Sequence, residues 1–188
     1  MINFPLLKTF EVESSVTDFL NKKLEQYRNL YDDEYINNNA NINGFTNEEK
    51  NSGYQTLNLL EWDDRELNNF RENKLLDIIS FQIGIDKSKV SYHWMHMLEY
   101  ENGGSMDYHN HMHNEDYVLF IYLETCNSGE TVFHLNHSNP EYSDRTKIKV
   151  KPKKNLGAVF SALVMHKGEY TEENKKIFVV GIRVNTND

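Results

Sequence analysis

The sequence predicts a mainly β protein, a sandwich or jelly roll, with about two scaffold helices packed against its outside. Three observations carry that expectation. The chain has 188 residues, 38% of them hydrophobic and 12% aromatic, enough to bury one core of ordinary size. Its first half contains two amphipathic stretches of helical period, and its last hundred residues break into short apolar segments separated by turn signals. These features place one domain over 1–188, with a helical N-terminal part at 1–88 and a β core at 89–188.

The first helix is expected over 14–30. Ser14 or Ser15 can cap it, and Val16, Phe19, Leu20, Leu24, Tyr27 and Leu30 recur at steps of three and four. Residues 32–53 are polar and rich in Asn, which reads as a loop of about 20 residues, long enough to serve a site. Residues 53–60 have strand character in Tyr54, Thr56 and Leu57. A second amphipathic helix is expected from Asp63 or Asp64 to Ile83, ending at Gly84. Strands are then expected at 90–100, 117–123, 131–134, 147–150, 158–160 and 177–184. Between them lie turn signals such as Asn102-Gly103-Gly104, Asn127-Ser128-Gly129 and Asn155-Leu156-Gly157.

Charge and composition narrow the function. Twenty Lys and Arg against 29 Asp and Glu give a formal charge of -9, which argues against binding duplex nucleic acid, where affinity comes from neutralising phosphates. No apolar run approaches the roughly 20 residues that span a bilayer, so no membrane association is expected. The N-terminus carries no pattern of a secretion signal, and the single cysteine, Cys126, has no internal partner. Both features fit a cytoplasmic protein. The sequence carries no signal for oligomeric state.

Histidine is the residue that suggests chemistry. Five of the eight, His93, His96, His109, His111 and His113, fall within 21 positions. In an extended chain His109 and His111 point to the same side and can reach one metal ion together, with His113 continuing that face. A third ligand is expected from His166, which follows the apolar run 158–165. His93 and His96, three apart on a predicted strand, are expected to face opposite sides and to be structural.

The run Tyr100-Glu101-Asn102-Gly103-Gly104-Ser105-Met106-Asp107-Tyr108-His109-Asn110-His111 resembles the metal-site segment of iron(II)/2-oxoglutarate-dependent dioxygenases of the prolyl hydroxylase type, and Gly53-Tyr54-Gln55-Thr56 with Trp94 resembles the leader of a subgroup of small microbial and phage oxygenases. The resemblance extends over about 85 residues. It continues through Val118-Leu119-Phe120-Ile121-Tyr122-Leu123, through Ser128-Gly129-Glu130-Thr131-Val132-Phe133, and through Val150-Lys151-Pro152 and Gly157-Ala158-Val159-Phe160 ahead of His166.

The resemblance implies a double-stranded β-helix holding Fe(II), with 2-oxoglutarate and O2 as co-substrates, and hydroxylation of a C–H bond with release of succinate and CO2. It implies His109 and His166 as ligands and puts His111 where the family has a carboxylate. Three readings of that departure stay open: a three-histidine site, a carboxylate supplied by Glu115 or Asp116, or a cupin-type site that uses His109, His111, Glu115 and a later histidine without 2-oxoglutarate. The resemblance also implies a cation for the far carboxylate of 2-oxoglutarate about ten residues after His166. Lys176 is expected in that role from its parity with Phe178 and Val180, with Lys175 and Arg183 as alternatives. Tyr122 and Tyr100 are implied as hydroxyl donors to the co-substrate. The substrate is expected to be a small molecule or a peptide, with walls drawn from 32–53 and 136–145. A metal-free jelly-roll interaction protein is the remaining alternative.

Overall fold

A computed structural model describes residues 6–31, 53–101, 103–112, 114–135 and 147–185. Of the segments expected to wall the substrate site, 136–145 and all of 32–53 but Gly53 lie outside the described residues, as does the imidazole of His113.

Two antiparallel sheets form the body. The larger has the order β1-β8-β5-β10-β3-β2 and the smaller β4-β9-β6-β7. The strands are β1 (Leu7–Glu11), β2 (Gly53–Gln55), β3 (Val90–Tyr100), β4 (Met106–His109), β5 (Tyr117–Tyr122), β6 (Thr131–His134), β7 (Lys147–Val150), β8 (Leu156–Ser161), β9 (Met165–Gly168) and β10 (Lys175–Val184). This is the jelly-roll architecture that the short strands predict, and β6 and β7 match the expected segments residue for residue. The N-terminal part is not purely helical, because β1 and β2 form the two edges of the larger sheet. Leu7-Lys8-Thr9-Phe10-Glu11 contains only two apolar residues, three apart, so no period marked β1 as a strand.

The helices cover the outer face of the larger sheet. Helix α1 (Ser14–Tyr31) buries Val16, Leu20, Leu24 and Tyr27 of the predicted stripe, with Phe19 partly buried, while Leu30 is exposed. The second helical stretch comprises α2 (Arg65–Phe70), a π-helical turn (Arg71–Leu75) and α3 (Leu76–Ile83). Its buried residues are Leu67, Phe70, Leu75, Ile79 and Ile83. The step of five from Phe70 to Leu75 falls on the π turn, which absorbs one extra residue and keeps the apolar stripe on one face. Asp64 caps α2 through Leu67 N–H, and Gly84 ends α3 at φ 72°, a left-handed conformation suited to glycine. Among the described residues no helix is long and apolar enough to cross a membrane.

Two cores result. One lies between the helices and the larger sheet, and the other between the sheets. Strand β5 serves both, with Tyr117, Leu119 and Ile121 toward the helices and Val118, Phe120 and Tyr122 inward. Its sequence is therefore continuously apolar rather than alternating. The expected strand 158–160 lies within β8, and the apolar run 158–165 crosses from one strand to the next: β8 ends at Ser161, a turn intervenes, and β9 begins at Met165 in the other sheet.

Candidate metal centre and co-substrate pocket

The break between β8 and β9 places His166 within β9, where it lies directly opposite His109 of β4 in the antiparallel register. His111 lies beyond the end of β4, where its backbone N–H donates to Ala162 O at 3.0 Å. The ligand-capable atoms of His109, His111 and His166 all lie within 4.8 Å of one another. His166 is buried at 8% exposure, with the rings of Phe133 and Phe160 against it.

Tautomers follow from the partners. His109 Nδ1 lies 2.8 Å from Asp107 O, and His166 Nδ1 lies 3.1 Å from Val164 O. A carbonyl oxygen only accepts, so each Nδ1 carries the proton and each Nε2 keeps a lone pair for a ligand. Burial lowers the pKa of His109, pushes that of His111 down to about 4, and holds that of His166 well below the ordinary value. Repulsion among the three rings adds to this at His111 and His166, while the Glu115 carboxylate acts in the opposite sense on His111. Three neutral imidazoles with converging nitrogens form a donor set that fits a divalent first-row transition metal.

The expected carboxylate alternatives are engaged elsewhere. Glu115 Oε1 accepts from Trp94 Nε1 at 2.6 Å and pairs with His93 Nδ1, while Asp116 Oδ2 accepts the N–H of Val184 at 2.8 Å. Neither joins the histidine cluster.

A cavity of about 390 Å³ opens beside the histidines and runs between the sheets. Lys175, not Lys176, lies within it. The ammonium of Lys175 donates to Gly129 O at 2.9 Å and sits 4.4 Å over the Tyr100 ring. The side chain of Lys176 points the other way and pairs with Glu124 at 3.0 Å. The expectation for Lys176 is corrected because both faces of β10 are apolar and buried, so parity groups the residues without saying which group faces the cavity. Lys175, Ile177 and Val179 do, whereas Phe178 and Val180 pack toward the helices. Arg183 donates to Asn114 O at the far end of β10. Lys175 is 1% exposed, and burial pushes its pKa down to about 8, with only weak opposition from Cys126 and Glu130.

Of the two tyrosines, Tyr100 lines the cavity. Tyr122 lies deeper, its hydroxyl bonded to Thr131 Oγ1 at 2.6 Å and to Val150 O at 3.0 Å, so it reaches the cavity only through Thr131, which does line it. Trp94 and His96 also line the cavity, which the sequence reading missed for His96. The signal was present: both share parity with Tyr100. The bulge affects His93 instead: it shifts the register, Tyr92 pairing with Ile182 and Trp94 with Gly181, so that His93 and Trp94 both reach Glu115.

Solved structures with this architecture share little sequence with it. A prolyl-4-hydroxylase from Pseudomonas putida superposes with a TM-score of 0.64 at 11% identity, covering 96% of this chain and 93% of that one. It has the fold of the 2-oxoglutarate and iron(II) oxygenases. A Trichoplax adhaerens prolyl hydroxylase in complex with a hypoxia inducible factor peptide fragment gives 0.65 at 13% identity, covering 95% and 84%. AviO1 from Streptomyces viridochromogenes gives 0.69 at 12% identity, covering 98% and 92%. No protein-family model and no curated protein matches the sequence.

Proposed function

We propose that the chain is an iron(II)- and 2-oxoglutarate-dependent dioxygenase that hydroxylates a C–H bond of a peptide or small-molecule substrate. One observation carries the reading: a cluster of three neutral histidines shares one cavity with a buried lysine that has no carboxylate partner among the described residues. His109, His111 and His166 would hold the iron. When bound, iron(II) supplies oxidation of a C–H bond by O2, coupled to conversion of 2-oxoglutarate to succinate and CO2.

The residues of the chain perform the remaining tasks. The Lys175 ammonium is the cation for the far carboxylate of the five-carbon co-substrate, a charge-assisted contact made strong by burial. Tyr100, under the ammonium, and Thr131 complete that end of the cavity. The backbone carbonyls of Asp107 and Val164 hold His109 and His166 in the tautomer that presents Nε2. Apolar walls from Leu98, Phe120, Phe160 and Ile177 exclude water around the reacting end. Trp94, His96, Gln55 and Asn58 remain for the substrate, and among the described lining residues Lys175 is the sole Lys or Arg. Once that charge is taken by the co-substrate, the site favours an uncharged target group, as in a peptide. The single buried thiol, Cys126, fits a reducing cytoplasm as the place of action.

The test is anaerobic reconstitution with iron(II), then addition of O2 and 2-oxoglutarate, with succinate as the readout. Succinate formation that disappears in His109→Ala and Lys175→Met is expected. Metal binding without 2-oxoglutarate turnover or binding would point to a cupin-like function, and absence of metal binding would leave an interaction protein.

A further inference from the structure

The three histidines are not held alike. His109 and His166 are each oriented by a hydrogen bond from Nδ1 to a backbone carbonyl. His111 has no ring hydrogen bond among the described residues. Metal-binding imidazoles are ordinarily oriented by a partner on the far nitrogen, so a ring without one must be fixed in another way.

The ring of Trp94 lies against His111, with centroids 5.4 Å apart and planes inclined by 41°. Its other neighbour is His96, at 5.5 Å. The indole N–H donates to Glu115 Oε1 at 2.6 Å, and the same oxygen pairs with His93 Nδ1. The Glu115 side chain is only 7% exposed. The bulge at His93 sets the backbone so that two successive side chains, His93 and Trp94, reach one carboxylate. Across the strand pair, Gly181 provides the room: a Cβ there would approach Trp94 Cε2 to 2.5 Å and Glu115 Cγ to 3.0 Å. A backbone bulge, a buried carboxylate and a glycine thus converge on the placement of one indole.

We propose that Trp94, anchored by Glu115, is the positioning residue for His111, replacing with ring packing the hydrogen bond that orients the other two histidines. The inference rests on the metal-site reading above. It assigns Glu115 a role apart from direct ligation, and it makes Gly181 part of the same device by leaving space for it.

Cobalt(II) titration of the metal-free protein tests it, read by affinity and by the visible absorption band rather than by turnover. Wild type is expected to bind. Glu115→Ala is expected to weaken binding by about tenfold to a hundredfold, the usual effect of losing a ligand's support, and to change the band. Glu115→Gln keeps an oxygen acceptor for the indole N–H and should restore both. Gly181→Ala, which touches no histidine of the cluster, should reproduce the alanine phenotype by displacing the ring. A Glu115→Ala protein with wild-type affinity and band would overturn the proposal, as would a Glu115→Gln protein no better than Glu115→Ala. Failure of wild type to bind cobalt would overturn the metal reading itself, a separate outcome.

A second measurement needs no change near the site. The chain has two tryptophans, Trp62 and Trp94. In a Trp62→Phe background, saturating cobalt(II) is expected to quench the emission of Trp94 while diamagnetic zinc(II) leaves it. Emission unaffected by bound cobalt would contradict contact between Trp94 and the metal-bearing ring.

Discussion

Lys23, on α1 in the helical layer, and Lys175, at the start of β10 between the sheets, are each 1% exposed. Lys23 lies 2.8 Å from Asp64 and 2.8 Å from Glu66. Burial pulls its pKa down, but the two carboxylates more than reverse this and the pKa is raised. Lys175 has a carbonyl oxygen and an aromatic face for company, with no carboxylate in ion-pair range among the described residues, and its pKa falls to about 8. The first lysine ties two helices together: Asp64, which it holds, is also the cap of α2. The second is a buried cation with no carboxylate partner among the described residues, the place proposed above for the far carboxylate of the co-substrate. A protein bears that cost where a ligand supplies the missing charge.

The largest expected effect separates the two residues by function. Lys175→Met should weaken 2-oxoglutarate binding by about a hundredfold or more, the scale of losing one partner of a buried charge pair. Lys23→Met should leave that binding unchanged. Calorimetric titration of the metal-loaded variants measures both. If Lys175→Met bound the co-substrate as wild type does, the contrast between the lysines would lose its functional meaning.

Stability should move in the opposite direction. Lys23→Met strands the largely buried Asp64 and is expected to destabilise the fold by about 3 kcal/mol, a buried pair broken on one side, while Glu66 stays in water. Lys175→Met removes an ammonium held at about 8 instead of 10.5, a difference worth about 3 kcal/mol at neutral pH as an upper bound, and should stabilise the unliganded protein. The sign follows from linkage. Because folding depresses the pKa of Lys175, its cost is absent above about pH 10.5, where both states are neutral, and fully present below about pH 8. Denaturant unfolding should show wild type and Lys175→Met converging as pH rises through that window and separating below it.

The same ionisation sharpens the binding comparison. Co-substrate capture needs the charged ammonium, so affinity should fall about tenfold per pH unit above pH 8, and Lys175→Met should abolish that dependence. The smallest effect belongs to the neighbouring residue. Lys176, paired with Glu124 on the other face, should tolerate methionine with a change of less than about 1 kcal/mol and no change in co-substrate affinity.

Much of this arrangement was legible in the sequence, and the parts that were not share a physical reason. Periodicity located α1 and several strands, and the spacing of His109 and His111 with a distal His166 identified the cluster that the fold brings together. Parity then failed wherever both faces of an element were buried. On β10 it grouped Lys175 with Ile177 and Val179 correctly yet could not tell which group faces the cavity. On β3 the bulge at His93 breaks alternation only before Trp94, so the regular run from Trp94 to Tyr100 carried the signal for His96 that was not used. Strand β1, with two apolar residues and three polar ones, and the π turn at Arg71–Leu75 depend on tertiary packing that no local pattern reports. Lys175 was distinguishable from Lys176 only by what surrounds it, which is a property of the fold.

In the proposed function Lys175 and the three histidines serve one co-substrate site. The most direct test of this is 2-oxoglutarate affinity, measured with metal bound, in wild type, Lys175→Met and Lys176→Met. Tight binding is expected in wild type and Lys176→Met, and its loss in Lys175→Met alone. Equal binding by all three, or loss confined to Lys176→Met, would contradict it.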